Sequence, residues 1–240
     1  MAKAEYLGRG LPYVPLTDMS GHLIVIEGSD GVGRSTQIAH LRQWLEVQGF
    51  GVVETGWTRS QLVSRTIDLA KQGHAMNPLT FNLLYATDFA DRLEKEIIPS
   101  LKSGFIVLAD RYIYTAIARA EVRGVDMTWI RDLFGFAIQP DLVMYMKIGA
   151  EALARRVIRS HGLDYWEAGL DHSPGSDPYD SFLKYQRRLL REFNKLADEY
   201  GFEVINAARS VGAIQRELRR RVAQVIGADP EAGPPIPRSH

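Results

Sequence analysis

The chain has no cysteine, which excludes disulfides and thiolate metal sites and is neutral about compartment. It has no charge excess of either sign: 29 Lys and Arg against 29 Asp and Glu give a formal net charge of zero. Binders of nucleic acid or membrane surfaces carry a basic excess, so neither partner is expected. No apolar run reaches the length of a membrane span, and the first residues lack the charged-then-apolar order of a signal peptide. A cytoplasmic protein is the expectation. Internal repeats are absent too. With 240 residues and 45% hydrophobic side chains, the chain can build one substantial α/β domain.

Strand-like and helix-like segments alternate between two irregular ends, which predicts a parallel sheet covered by helices. Residues 1–20, with Gly8, Gly10, Pro12 and Pro15, read as an irregular arm. Residues 227–240, with Pro230, Pro234, Pro235 and Pro237, read as a disordered tail. Between them, residues 21–226 form the domain. Strands are expected at 23–27, 51–54, 105–109, 142–146 and 203–205. Helices are expected at 35–48, 80–98 (stopped by Pro99), 179–200 and 211–226. The arginines at 187, 188 and 191 and at 219–221 read as solvated helix faces.

The segment after the first strand carries the strongest chemical signal. Gly28, Ser29, Asp30, Gly31, Val32, Gly33, Arg34, Ser35 and Thr36 match the phosphate-loop pattern G-x-x-x-x-G-K-[ST], except that Arg34 stands in the lysine position. Its glycines let backbone N–H groups turn toward phosphate oxygens, and the following helix adds its positive end. Ser35 sits where a hydroxyl holds Mg²⁺. Arg34 keeps the charge but replaces a compact ammonium with a planar fork.

Asp110 and Arg111 directly follow the apolar run 105–109. They fit either a phosphate and Mg²⁺ site beyond the strand or a plain ion pair on its rim. The basic stretch around Arg155, Arg156 and Arg159 fits either a lid over the site, spanning about 155–178, or a solvated helix end. His161 and His172 have no metal-ligand spacing. Trp44, Trp57, Trp129 and Trp166 read as packing residues, with Trp57 and Trp166 in expected loops near the site.

Taken in order, these pieces resemble the thymidylate kinase family of P-loop nucleoside monophosphate kinases. The resemblance runs from about 21 to 226. It rests on Ile26-Glu27-Gly28-x-Asp30-Gly31-x-Gly33-x-Ser35-Thr36-Gln37, Leu84-Tyr85-Ala86-x-Asp88, Asp110-Arg111-Tyr112, Gln139-Pro140-Asp141-Leu142, Leu163-Asp164 and Asn206-Ala207. It implies a P-loop NTPase three-layer αβα sandwich around a five-stranded parallel sheet. It also implies ATP- and Mg²⁺-dependent phosphorylation of dTMP to dTDP by a homodimer acting on small-molecule nucleotides. By position, Arg34 and Ser35 serve ATP phosphates and Mg²⁺, Asp30 approaches the acceptor's sugar, Arg111 meets its phosphate, Asp110 lies near the metal, and Arg159 belongs to the lid.

Five departures fall on the site. Besides Arg34, the family's Arg-Glu-Pro-Gly is replaced by Thr55-Gly56-Trp57-Thr58-Arg59, and an arginine after Ala-x-Asp by Phe89. Its Ala-Tyr-Gln-Gly becomes Ala118-Arg119-Ala120-Glu121, and its lid Asp-Arg becomes Asp164-Tyr165. Arg59, Arg119, Arg123 or the lid cluster could supply the missing cations. Two alternatives remain open on sequence: a kinase for another nucleotide or nucleoside, and a nucleotide-binding regulatory protein with weakened catalysis.

Overall fold

Each apolar run forms a strand, and all the strands are parallel. The computed structural model describes residues 4–73, 77–160, 162–163, 169–170 and 177–233. The strands are β1 (His22–Glu27), β2 (Val52–Gly56), β3 (Ile106–Asp110), β4 (Leu142–Lys147) and β5 (Glu203–Asn206). Their order is β2-β3-β1-β4-β5. Leu23, Val25, Val107, Ala109, Val143 and Tyr145 face one core, while Ile24, Ile26, Ile106, Leu108, Met144 and Met146 face the other. Burial on both faces explains why these runs are uninterruptedly apolar rather than alternating.

The helices are α1 (Arg34–Val47), α2 (Ser64–Gly73), α3 (Pro78–Arg92), α4 (Ile98–Lys102), α5 (Ile113–Val122), α6 (Met127–Leu133), α7 (Ala150–Ser160), α8 (Pro178–Tyr200) and α9 (Val211–Ile226). Residues of α1, α7 and α9 fill the second core; α2 to α6 and most of α8 fill the first. The result is the three-layer αβα sandwich of the P-loop NTPases.

Two expectations need correction. The helix expected to stop at Pro99 continues: α3 passes through a π-helical turn, Leu93–Ile97, into α4, which contains Pro99 and ends at Lys102. The wide turn restarts the hydrogen-bond ladder, and proline's missing N–H costs little in a first turn. Arg219 is buried rather than solvated, with its guanidinium 5.8 Å from the Trp44 ring centre, because α9 packs on α1. Its neighbour Arg220 is exposed, and Arg221 pairs with Glu203 at 2.9 Å.

Among the described residues of the N-terminal arm, 4–20, there is no helix or extended strand, yet they are held. Tyr6 bridges antiparallel to Ile138, Leu7 N–H donates to the Ala137 carbonyl at 2.8 Å, and Leu11, Val14 and Leu16 pack on the first core. Past α9, Ala228 packs on the second core and the Asp229 N–H donates to Gln48 Oε1 at 3.3 Å. Residues 234–240 lie outside the described residues. No helix among the described residues is long and apolar enough to cross a membrane.

Candidate active site

Sheet order and register bring two distant sequence motifs together. β1 and β3 are neighbours with Ile26 opposite Asp110, and the Arg111 N–H continues the ladder to the Ile26 carbonyl at 3.1 Å. The loop leaving β1 and the residue ending β3 therefore emerge side by side, at the carboxyl edge where open α/β sheets bind ligands. β2 delivers Gly56 opposite Asp110 on the other side.

The loop has the backbone shape a phosphate cradle requires. Gly28 has φ +147°, and a Cβ there would stand 2.8 Å from the Met146 carbonyl oxygen. Gly33, with φ +98°, has open space, so its requirement is conformational alone. Arg34 turns back into this loop and is 7% exposed. Its Nη1 donates to the carbonyls of Gly28 and of Ser29, the latter at 2.5 Å, and its Nε donates to Asp110 Oδ1 at 2.6 Å. The other carboxylate oxygen, Oδ2, accepts from Ser35 Oγ at 3.4 Å. Asp110 thus offers one oxygen to each of the two loop side chains that sequence reasoning singled out. Ser35 and Thr36 are exposed at the start of α1.

A carboxylate and a hydroxyl oxygen at this separation suit a hard, oxygen-seeking cation such as Mg²⁺, which keeps its other positions for water and phosphate oxygens. Among the described residues no group of three or more His, Cys, Asp or Glu gathers as an all-protein metal site. His161, Asp164, Tyr165, Trp166 and His172 lie outside the described residues.

Beside the loop is a cavity of about 130 Å³ lined by Gly56, Trp57, Thr58, Arg59, Lys71, Tyr85, Asp110, Arg111 and Arg119. Thr58 (φ +62°) and Arg111 (φ +69°) line it in left-handed backbone conformations, a strain that persists only where surroundings hold it. Asp88 holds Thr58: its buried carboxylate accepts from the N–H of Thr58 at 3.1 Å and of Ser60 at 2.9 Å, and from Arg92 Nε at 3.1 Å. The Arg92 guanidinium lies 5.3 Å from the Trp57 ring centre. Tyr85, Phe89 and Phe134 surround that same ring, and the indole N–H donates to the Tyr112 carbonyl at 3.2 Å. Phe89, where the family has arginine, is therefore core, and a buried guanidinium comes from one turn later.

Two carboxylates of the β1–loop connection anchor α5. Glu27 is fully buried; Oε1 accepts the N–H of Tyr112 at 2.8 Å and of Thr115 at 3.2 Å, and Oε2 accepts the Thr115 hydroxyl at 2.5 Å. It serves the open N–H groups of the helix start. Burial pushes its carboxyl above the ordinary range, against the pull of these hydrogen bonds and of Arg34 and Arg111. One step along the loop, Asp30 accepts from Arg111 and from Arg119 together.

Of the second-site arginines considered from sequence, Arg59 and Arg119 line the cavity, whereas Arg123 donates to the Tyr185 hydroxyl at 2.7 Å. Arg159 lies exposed in the last turn of α7. Arg156 of that helix reaches the loop instead, donating to the carbonyls of Val32 at 3.2 Å and Ala207 at 2.9 Å. Sequence reasoning missed Arg92 and Thr115, quoted Glu27 and Asp88 only as motif residues without a role, and placed Arg156 in the basic stretch rather than on the loop. Glu27 had a signal for its role, a lone carboxylate closing the apolar run Leu23–Ile26; Arg92 and Thr115 had none.

The profile of the thymidylate kinase family matches residues 26–218. A probable thymidylate kinase 2 of Saccharolobus solfataricus is 38% identical over 210 residues, covering 87% of this chain and 98% of that protein. A thymidylate kinase of Clavibacter sepedonicus is 40% identical over 223 residues, covering 89% and 100%. A probable thymidylate kinase of Thermococcus gammatolerans is 31% identical over 220 residues, covering 86% and 98%. With the phosphate loop and the strand-end Asp-Arg pair at one edge of the sheet, the chain belongs to the thymidylate kinase family.

Proposed function

We propose that this chain transfers the γ-phosphate of ATP to dTMP, giving ADP and dTDP. One observation carries the reading: the Asp110 carboxylate joins the phosphate loop, through Arg34 and Ser35, to a cavity lined with Arg59, Lys71, Arg111 and Arg119. A donor cradle and an acceptor cavity thus share a wall. The three relatives named above, each matched by this chain over nearly its whole length, bear names that point to dTMP as the acceptor.

Phosphoryl transfer between two nucleotides asks the protein mainly for positioning and charge neutralisation. An oxygen of the acceptor's phosphate bonds to the γ-phosphorus as the bond from that phosphorus to the β–γ bridging oxygen breaks, and ADP leaves. The loop N–H groups and Arg34 cradle the ATP phosphates. Arg111 meets the acceptor phosphate, and Asp30 approaches its sugar. Ser35 Oγ and Asp110 Oδ2 are the oxygens suited to hold Mg²⁺, which would supply charge neutralisation for the transferring phosphate. Arg34 and Arg111 spread the remaining charge of the transition state. Arg156 ties α7 to the loop, and Arg159, one turn on, belongs to the segment that closes over the site.

A homodimer in the cytoplasm completes the proposal. Its support is a row of exposed leucines, Leu69 on α2 with Leu79 and Leu83 on the adjacent α3, each at least 45% exposed. Light scattering after size exclusion reads the dimer directly.

The deciding experiment measures ADP formation from ATP and Mg²⁺ with dTMP, other nucleoside monophosphates and thymidine. Fastest turnover with dTMP is expected. Turnover confined to another acceptor would overturn the substrate, and ATP binding without turnover on any of them would overturn the kinase.

A further inference from the structure

Arg119 stands where the family has a tyrosine, and the structure gives it a partner that a tyrosine would not need. It lies on α5, one helical turn beyond Thr115. Thr115 holds Glu27, and Arg119 holds Asp30. Asp30 receives Arg111 on one carboxylate oxygen and Arg119 on the other. The three side chains are 16%, 28% and 20% exposed for Arg111, Arg119 and Asp30. Two guanidinium groups share one carboxylate, so this half-buried cluster keeps a net positive charge.

Among the described residues that line the cavity, no other carboxylate pairs with this cluster. Arg59 and Lys71 add two further cations, and the one carboxylate on the wall, Asp110, is engaged by Arg34. A half-buried surplus of positive charge, with two forks converging on one point, is chemistry for a phosphate dianion. Asp30 is an internal carboxylate at that convergence.

We infer that Arg119 is a second ligand for the acceptor's phosphate, acting beside Arg111, and that Asp30 positions the two arginines while competing with that phosphate for them. This rests on the reading of the cavity as the acceptor site. It makes acceptor selection depend on the phosphate more than on the sugar or base. It also returns Asp30 to the sugar only once a phosphate has drawn the arginines away, so a nucleoside lacking the phosphate leaves the cluster closed.

The test is calorimetric binding to the full chain, with dTMP, thymidine and inorganic phosphate as separate probes. Arg119→Met is expected to weaken dTMP binding roughly tenfold or more, the size of a lost charge-assisted hydrogen bond, and to change thymidine binding less than about twofold on the same scale. Arg119→Lys is expected to recover part of the loss. Asp30→Asn is expected to bind inorganic phosphate more tightly than wild type, and Asp30→Asn combined with Arg119→Met to lose that gain. Equal weakening of dTMP and thymidine by Arg119→Met would overturn the inference, as would unchanged or weaker phosphate binding in Asp30→Asn. Inorganic phosphate has no base, so this arm still decides the arginine roles if dTMP is the wrong nucleotide. Thermal melting of each variant separates lost folding from lost binding.

Discussion

Nε of Arg34 lies 2.6 Å from Oδ1 of Asp110 across 76 residues of sequence, tying the phosphate loop to the end of β3. The same guanidinium donates to the Gly28 and Ser29 carbonyls. All three contacts are to the protein's own oxygens, so ATP phosphates must compete with them for Arg34. A lysine at this position carries the charge but cannot bridge three acceptors with a planar fork. Arg34→Lys is therefore expected to keep ATP binding and to turn over within about tenfold of wild type or faster. Steady-state kinetics with ATP varied reads both quantities. A collapse in turnover would show that the fork itself is required.

Asp110→Asn keeps an oxygen for Arg34 and removes the charge shared with Ser35. Turnover is expected to fall by roughly 10²-fold or more, the scale of losing one electrostatic group from a reacting site. The thermal midpoint should also fall, because the buried Arg34 loses its counter-charge, so turnover is read well below that midpoint. Wild-type turnover in this variant would take Asp110 out of the mechanism.

Glu27 gives the pH prediction. Burial raises its folded-state carboxyl above the ordinary 4.5, so the folded chain holds that proton more tightly than the unfolded chain. The resulting stabilisation is complete below the ordinary carboxylate value and is lost as pH rises through the raised one. Glu27→Gln carries no such proton, so its unfolding free energy should decline less between pH 4.5 and neutrality. Urea unfolding of both proteins across that window measures the difference. Parallel pH profiles would assign the slope to another group.

Asp88 and Arg92 form a buried ion pair at 3.1 Å beneath the cavity floor. Removing one partner strands a buried charge, at a cost of about 3–5 kcal/mol, and Asp88→Ala also orphans the N–H groups of Thr58 and Ser60. A large drop in the urea midpoint is expected. The exposed pair of Arg187 and Glu151, 2.5 Å apart, is the control: Glu151→Gln should leave the midpoint where it is, since solvent screens such pairs. Equal effects at the two sites would refute the role given to Asp88.

What the sequence by itself determined was local or continuous along the chain. The phosphate loop was legible because its glycines, Ser35 and the start of the following helix lie within the nine residues 28–36 and set their own backbone. β1, β3 and β4 were legible because two-sided burial writes an unbroken apolar run, the partly exposed β2 and β5 showed only as short apolar stretches, and α9 was placed at its observed bounds by its periodicity. The π turn before Pro99 and the burial of Arg219 were not legible, since each depends on how one helix packs against the rest. Tertiary structure alone decided which charges meet. Sheet order put β3 beside β1, and with it came Arg34 on Asp110, Thr115 on Glu27, and Arg111 and Arg119 on Asp30. Those partners are 76 to 89 residues apart, and no local pattern encodes a contact that exists only once two strands have found their register.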